Sequence, residues 1–331
     1  MDRQAVKMRA FLSDLLVCPL CRGELEERQA EYRCRGCHKT YPIRNGIPRF
    51  LSDLSDGEQQ VKQSFNLEHM RYRDSRYLHF TPRLVQQWLD DVQLPAEYFK
   101  GKTVLDAGCG SGRWTYAMAS LGATVVAVDL TDAGVEVTHQ ATAQLENVVV
   151  LQTSVLHLPF RPESFDVVVS WGVLHHTPDT KAAFERLVPL VKWGGMLYVM
   201  VYERHNPLKF LVTNTLRWCL RRLPEDLRYR ACRALMVRSK RLYYRLSKFM
   251  ICALYPESGD PLEVSTAQLG LYDAYAPVFN HLHTRQEVRS WFDEHKFEQV
   301  TLTRPVYYTG KREVRLYGEC AGSITMRGVR T

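Results

Sequence analysis

No run of apolar residues in this 331-residue sequence reaches the ~18 that a membrane-spanning helix requires. The opening stretch, Met1 to Leu16, lacks an apolar core and a small-residue cleavage site, so no secretory leader is expected and the cytoplasm is the expected compartment. Acidic residues are scarce between Arg204 and Lys248, where thirteen Lys/Arg face only Glu225 and Asp226. That local excess is larger than the net charge of +8 carried by the whole chain. Such a stretch can meet phosphate, nucleic acid or an anionic membrane face, or form a solvated helix face. The nine cysteines also lack the even spread of a disulfide framework. Four cluster between Cys18 and Cys37, and the others are scattered among apolar neighbours, a pattern that favours metal binding in a reducing compartment.

What is present fits a globular protein: 45% hydrophobic and 24% charged residues are enough to build and solubilise a core. The length exceeds one ordinary domain, so a large and a small domain are expected. Cys18-Pro-Leu-Cys21 and Cys34-Arg-Gly-Cys37 are two C-x-x-C knuckles, a spacing that closes four thiolates around Zn²⁺. Four cysteines leave no open ligand position, so a structural zinc is expected at Cys18, Cys21, Cys34 and Cys37. Gly23 and Gly36 suit the tight knuckle turns, and Asn45-Gly46 predicts a closing hairpin. Residues 15–52 resemble the small zinc-ribbon protein that activates RNA and protein methyltransferases, and the ribbon fused to many bacterial methyltransferases. Ser52 to Gln63 is polar and acidic and reads as a linker.

The short apolar run Thr103-Val104-Leu105 reads as a buried parallel strand. It leads into Asp106-Ala107-Gly108-Cys109-Gly110-Ser111-Gly112, and a second strand ends at Asp129-Leu130. Glycines at 108, 110 and 112 allow a tight turn and close approach of a ligand, and Asp129 suits ribose hydroxyls. The spacing is G-x-G-x-G rather than the dinucleotide G-x-G-x-x-G. Asp106 would repel a pyrophosphate but not a cationic methionine end. This passage resembles motif I of the class I S-adenosylmethionine methyltransferases. The resemblance implies an α/β, Rossmann-like seven-stranded sheet and S-adenosyl-L-methionine as cofactor. It places Asp106 toward the methionine side and Asp129 on the ribose, with Gly108, Cys109, Gly110, Gly112 and Leu130 around them.

Downstream, Leu156–Phe160 and Ser164–His176 resemble the family's loop and fourth strand, which adds Val155 and Trp171 to the cofactor candidates. The family often has an acid for the adenine amino group where Ser154 stands; a hydroxyl accepts more weakly. Ala182 to Val191 predicts a helix, Lys192-Trp193-Gly194-Gly195 its terminating turn, and Met196 to Val201 a strand. Thr284 predicts the cap of a helix that turns Val288, Trp291 and Phe292 inward. Alternation over 298–303 and 313–319 predicts the antiparallel last pair.

The expected domains are a ribbon over 1–55, a methyltransferase domain over 64–203 and 276–331, and a helical insert over 204–275 that selects the acceptor. An apolar stripe from Cys232 to Ala253 predicts an insert helix. It could pack on the sheet, form a homodimer or make peripheral membrane contact. Methyl transfer depends chiefly on positioning, but an oxygen acceptor must lose its proton. His176 is the first candidate base, His281 and His283 the second, and Tyr202 is a further catalytic candidate. The expected acceptor is a small molecule, lipid or glycan. The alternative is an RNA methyltransferase that grips nucleic acid through ribbon and insert. No Asn-Pro-Pro-Tyr-like motif follows the fourth strand, where Ser170-Trp171-Gly172-Val173 stands, which disfavours exocyclic-amine methylation.

Overall fold

A computed structural model describes residues 3–51, 53–71, 82–204, 207–234, 272–303 and 323–331. Its centre is a seven-stranded sheet. Four Val-rich segments, β5 (Thr103–Ala107), β6 (Thr124–Asp129), β7 (Val148–Gln152) and β8 (Phe165–Trp171), are largely buried and pair in parallel. They read as near-continuous apolar runs because helices cover both faces of the sheet. β9 (Val191–Tyr202) joins β8 in parallel, β11 (Ser323–Arg330) joins β9 antiparallel, and β10 (Phe297–Thr303) closes that edge antiparallel. The order is β10-β11-β9-β8-β5-β6-β7, the class I methyltransferase fold.

The local expectations near the C-terminus hold in part. α9 (Arg285–Glu294) starts on a capping box between Thr284 and Glu287 and buries Val288, Trp291 and Phe292. The strand expected over 313–319 lies outside the described residues; β10 pairs instead with Ser323–Arg330. The expected helix over 182–191 is shorter. α6 (Thr180–Leu187) gives way to a 3-10 turn at Val188–Leu190, because Pro189 has no N–H to continue the helical hydrogen-bond ladder. Lys192 to Gly195 lie within β9, where Gly194 is left-handed (φ 75°) beside an irregularity in the β8 pairing.

A larger departure concerns the stretch after the ribbon. Residues 56–71 form a helix, α2 (Asp56–Arg71), not a linker. Its start is a capping box: Ser55 N donates to Glu58 Oε2 at 3.1 Å and Glu58 N donates to Ser55 Oγ at 3.3 Å. α2 lies along α5 (Asp132–Ala141), where Ala133 N donates to Asn66 Oδ1 (2.7 Å) and Lys62 pairs with Asp132 (2.8 Å). Across from it, α7 (Pro207–Leu220) and α8 (Glu225–Ala234) build a small core of Leu220, Tyr229, Cys232, Tyr272 and Tyr275, against which Leu67 of α2 packs. Of the apolar stripe read from Cys232 to Ala253, Cys232 is buried in this core and the rest, from Leu235 on, lies outside the described residues.

The ribbon is a four-stranded antiparallel sheet, β1 (Leu25–Arg28), β2 (Glu31–Cys34), β3 (Thr40–Arg44) and β4 (Ile47–Pro48), preceded by α1 (Arg3–Leu15). Asn45 and Gly46 both take positive φ in the β3–β4 turn, the conformation a two-residue hairpin requires. Beyond β4 the chain runs onto the edge of the large sheet. Arg49 bridges Gln152 in parallel and Phe50 N donates to Gln152 O at 2.7 Å. On the other flank Val17 N donates to Pro159 O and Arg161 N to Leu15 O (2.9 and 2.8 Å). Leu12, Tyr32, Tyr41 and Phe50 share one core with Val126, Val128, Leu151 and Phe160. The ribbon therefore pairs with the Gln152 end of β7, the edge strand of the sheet.

Phe50 is fully buried between the rings of Tyr32 and Tyr41 (centroids 5.5 and 5.2 Å). Phe50→Ala should cost about 3–5 kcal/mol in chemical denaturation and unfold ribbon and sheet together. Loss of the ribbon alone, with the sheet's midpoint unmoved, would contradict the shared core.

Candidate active site and metal centre

Asp106, next to last in β5, is buried and accepts a hydrogen bond from Thr115 Oγ1 at 2.6 Å. Burial, with Asp129 adding repulsion, pushes its pKa up to about 6 against opposing help from Thr115 and Arg113. Gly108 is left-handed (φ 94°), and a Cβ there would stand 2.2 Å from Val173 Cγ2, so neither conformation nor space admits a side chain. The loop's amides are already engaged. Gly108 N and Cys109 N both donate to Val128 O (2.8 and 2.9 Å), Gly112 N to Cys109 O (2.8 Å) and Gly110 N to Asp129 Oδ2 (2.9 Å). A dinucleotide site presents such amides to pyrophosphate; this loop folds them back on the protein.

Asp129 takes two further bonds at Oδ1, from Thr131 N (2.8 Å) and Thr131 Oγ1 (2.7 Å), which fix the carboxylate at the end of β6. Leu130 follows, its carbonyl accepting from Gln152 Nε2 (3.0 Å). The Cys109 thiol is buried, 3.5 Å from Thr138 Oγ1, and its pKa is driven well up by burial, so only its backbone belongs to the loop's outer surface. Trp171 donates Nε1–H to Asp91 Oδ2 at 2.7 Å, and the Arg113 guanidinium lies over the rings of both Trp171 and Trp114. Ser154 donates Oγ–H to Glu58 Oε1 at 2.9 Å, beside buried Val155. The carboxylate absent from position 154 is thus brought in by α2.

The rest of α2 supplies residues that sequence reasoning missed. His69 Cε1 would stand 3.1 Å from a Cβ at Gly110, so its ring lies against the loop. Glu68 is buried with Oε2 unpartnered, and burial first, then Asp273 and Asp129, hold its pKa well above the usual carboxylate range. The available signal was Ser55-x-x-Glu58, a capping box followed by helical residues. Asp273 was missed as well.

His176 sits in the 3-10 turn Leu174–His176 after β8. Its Nδ1 lies 2.9 Å from Phe279 O, its Nε2 lies 3.2 Å from Asp273 Oδ1, and its ring meets Phe65 at 4.9 Å. A carbonyl only accepts, so Nδ1 donates to Phe279 O, while the buried Nε2 faces the Asp273 carboxylate without a hydrogen bond. Tyr202, at the end of β9, donates its hydroxyl to Asp273 Oδ2 and stacks on His175 at 4.0 Å. His281 and His283 have structural partners. His281 Nε2 meets Thr177 O at 3.1 Å, and its backbone N donates to His175 O. His283 Nδ1 bonds Glu287 Oε1 at 2.8 Å, and its backbone bridges Glu203 beyond β9. The structure thus brings His176 and Tyr202 together through Asp273.

In the ribbon, the thiols of Cys18, Cys21, Cys34 and Cys37 lie within 4.8 Å of one another. Their soft, closely convergent donor set fits a tetrahedral zinc. Positive φ falls on Arg22 and His38, not on Gly23 or Gly36. Gly23 is needed for a different reason: a Cβ there would stand 3.2 Å from Cys21 Sγ and 3.3 Å from Cys34 Sγ.

Comparison with known families matches "Methyltransferase domain" over residues 105–199 and "Trm112p-like protein" over 9–46. The chain is 30% identical over 161 residues to a demethylmenaquinone methyltransferase of Staphylococcus aureus (strain MRSA252), covering 47% of this chain and 65% of that protein. It is 31% identical over 140 residues to a ubiquinone biosynthesis O-methyltransferase of Haemophilus ducreyi, covering 40% and 59%. The chain thus spans less than two thirds of the length of these relatives. Among solved structures, magnesium protoporphyrin IX methyltransferase from Synechocystis PCC 6803 with bound SAH aligns at TM-score 0.49 and 16% identity, over 83% of this chain and all of that one. A chain from a complex containing the Haloferax volcanii Trm112 methyltransferase activator aligns at 0.47 and 16%, over 81% and 96%. Among the described residues no helix is long and apolar enough to cross a membrane.

Metal analysis of the purified chain should find about one zinc per polypeptide, as expected of a closed four-thiolate shell. Cys21→Ser should lower zinc content and thermal stability together; a folded protein without metal would contradict the assignment.

Proposed function

We propose that this chain, which carries a methyltransferase domain and a Trm112-like zinc ribbon, is an S-adenosylmethionine-dependent methyltransferase acting on a small-molecule, lipid or glycan-type acceptor. The observation that carries the reading is the crevice itself, where buried acids surround a glycine loop whose amides are already bonded within the protein. That arrangement suits a cationic nucleoside without phosphate. The acceptor class draws support from the two curated relatives, both named as methyltransferases of quinone compounds.

When bound, the cofactor supplies an electrophilic methyl group on its sulfonium. The chain's own residues do the rest. Asp129, fixed by Thr131, receives the ribose hydroxyls, and Ser154 with Glu58 faces the adenine edge. Asp106 and Glu68 supply negative charge for the cationic end. His176 takes the acceptor's proton at Nε2, and the Asp273 carboxylate beside it, which Tyr202 orients from its other oxygen, stabilises the imidazolium that forms. His281 and His283 fix the segment that carries Phe279 and leave proton transfer to His176. Domain limits follow: the ribbon through residue 55, α2 with the catalytic sheet, and an insert from 204 to 275 that shapes the acceptor site.

A second reading, an RNA methyltransferase, is favoured by the Trm112p-like segment and the basic insert. Incubation with methyl-labelled cofactor and separate lipid, small-molecule and RNA fractions distinguishes the two. Label should enter the non-nucleic-acid fractions; label in RNA alone would overturn the first reading.

Two further outcomes are expected. An acid whose pKa is raised by folding is ionised only above its shifted value, so protons compete with a cationic ligand below it. Cofactor affinity measured by calorimetry should therefore fall as pH drops through about 6, and Asp106→Asn should remove this step. A flat profile in the unaltered chain would contradict the role given to Asp106. His176→Ala and Asp273→Asn should each lower turnover about 10²–10⁴-fold with cofactor affinity within about twofold, because neither is among the residues assigned to the nucleoside. Unchanged turnover in both would remove the pair from proton transfer.

A further inference from the structure

A cleft of about 800 Å³ opens between α2 and the turn joining α7 to α8. Four arginines line it, Arg217, Arg221, Arg222 and Arg228, against one acid, Glu225. Among the described residues none of the four guanidinium groups is paired with a carboxylate. Three of them are instead fixed by backbone carbonyls or a ring, and Arg221 stands exposed. Buried Arg217 donates to Ala274 O (2.5 Å) and Pro277 O (2.7 Å). Arg228 donates to Ala276 O and Leu223 O (3.3 and 3.2 Å), and its buried Nε has no partner. Arg222 lies 3.3 Å over the Trp218 ring and donates to Trp218 O at 3.0 Å.

Carbonyl bonds orient a guanidinium without neutralising it, so the wall keeps a charge of about +3 after Glu225 is counted. Burial, and then repulsion from Arg221, push the pKa of Arg217 down to about 10. A monocarboxylate would relieve only part of that repulsion. A phosphate or diphosphate group carries the required charge, and its oxygens match the forked N–H geometry of arginine.

The cleft adjoins the proposed reaction site. Gln60, Gln63 and Ser64 line its α2 side, and Glu68 follows one turn later, about 6 Å along the helix. Val278 lines the cleft floor, and the next residue, Phe279, accepts the bond from His176. Arg217 holds the carbonyls of Ala274 and Pro277, on the same segment as Asp273. An arginine of the cleft therefore braces the segment that carries Asp273 and Phe279.

We propose that this cleft seats a phosphate or diphosphate group of the methyl acceptor, set apart from the atom that receives the methyl. The inference rests on the methyltransferase reading for its purpose and on the cleft alone for its chemistry. Titration of the full chain with inorganic pyrophosphate at physiological salt should show one saturable site. In the double variant Arg221→Gln/Arg222→Gln affinity should fall tenfold or more, with S-adenosylmethionine affinity unchanged as the control for folding. Absence of saturable binding, or equal affinity in the double variant, would overturn the proposal. Sedimentation with phosphatidylcholine vesicles containing phosphatidic acid, reversed by pyrophosphate, would support a lipid phosphate. Pyrophosphate binding without sedimentation would support a soluble phosphate ester. Pyrophosphate binding in a chain that fails to bind S-adenosylmethionine would leave the cleft standing and remove the methyltransferase reading.

Discussion

Negative charge held out of water organises this molecule. Asp106, Asp129 and Glu68 come from three separate parts of the chain, and Asp106 and Glu68 keep elevated pKa values because burial penalises their ionised forms. Buried acids without cations are costly, so a structure that gathers them is arranged for a positively charged guest. The glycine loop reinforces the selection. Its amides, which in a phosphate-binding turn would face outward, bond Val128, Cys109 and the Asp129 carboxylate.

The outlying parts of the chain can be understood by how they support that crevice. The ribbon lays Arg49 and Phe50 along β7, and Arg49 bonds both Gln152 and Glu136 (3.0 and 2.5 Å). Gln152 in turn bonds the carbonyl of Leu130, next to Asp129. A chain of contacts therefore runs from the metal-bearing module to the end of β6. α2 closes the crevice from the other side, since its capping residue Glu58 also engages Ser154. One carboxylate thus both starts the helix and completes the wall. Ribbon, helix and sheet share contacts that none could make alone, which suits a small module with too little core to fold unaided.

What could be read from the sequence was whatever local chemistry dictates. The C-x-x-C knuckles, the Asn45-Gly46 turn, the Thr284 cap and the loop between Asp106 and Asp129 are each set by residues within about one element of each other, and all appear as read. Glycine was recognised in the knuckles but for the wrong reason: Gly23 makes room for two sulfur atoms, whereas Arg22 takes the left-handed backbone. The polar, acidic composition of 52–63 concealed a helix because its stability comes from a cap and from packing on α5, not from an apolar stripe. Asp273 was invisible for another reason. It meets His176 only because the chain returns from the insert, 97 residues later, and nothing local marks it. The Ser154 substitution looked like a loss until the fold placed Glu58 beside it.

The central claim is that the crevice selects a cationic nucleoside and rejects a phosphate-bearing one. Equilibrium titration of the same protein with S-adenosylmethionine and with a nicotinamide dinucleotide tests it directly. Saturable micromolar binding of the first is expected, with no displacement by a large excess of the second. Tighter binding of the dinucleotide, or no binding of the sulfonium compound, would contradict it.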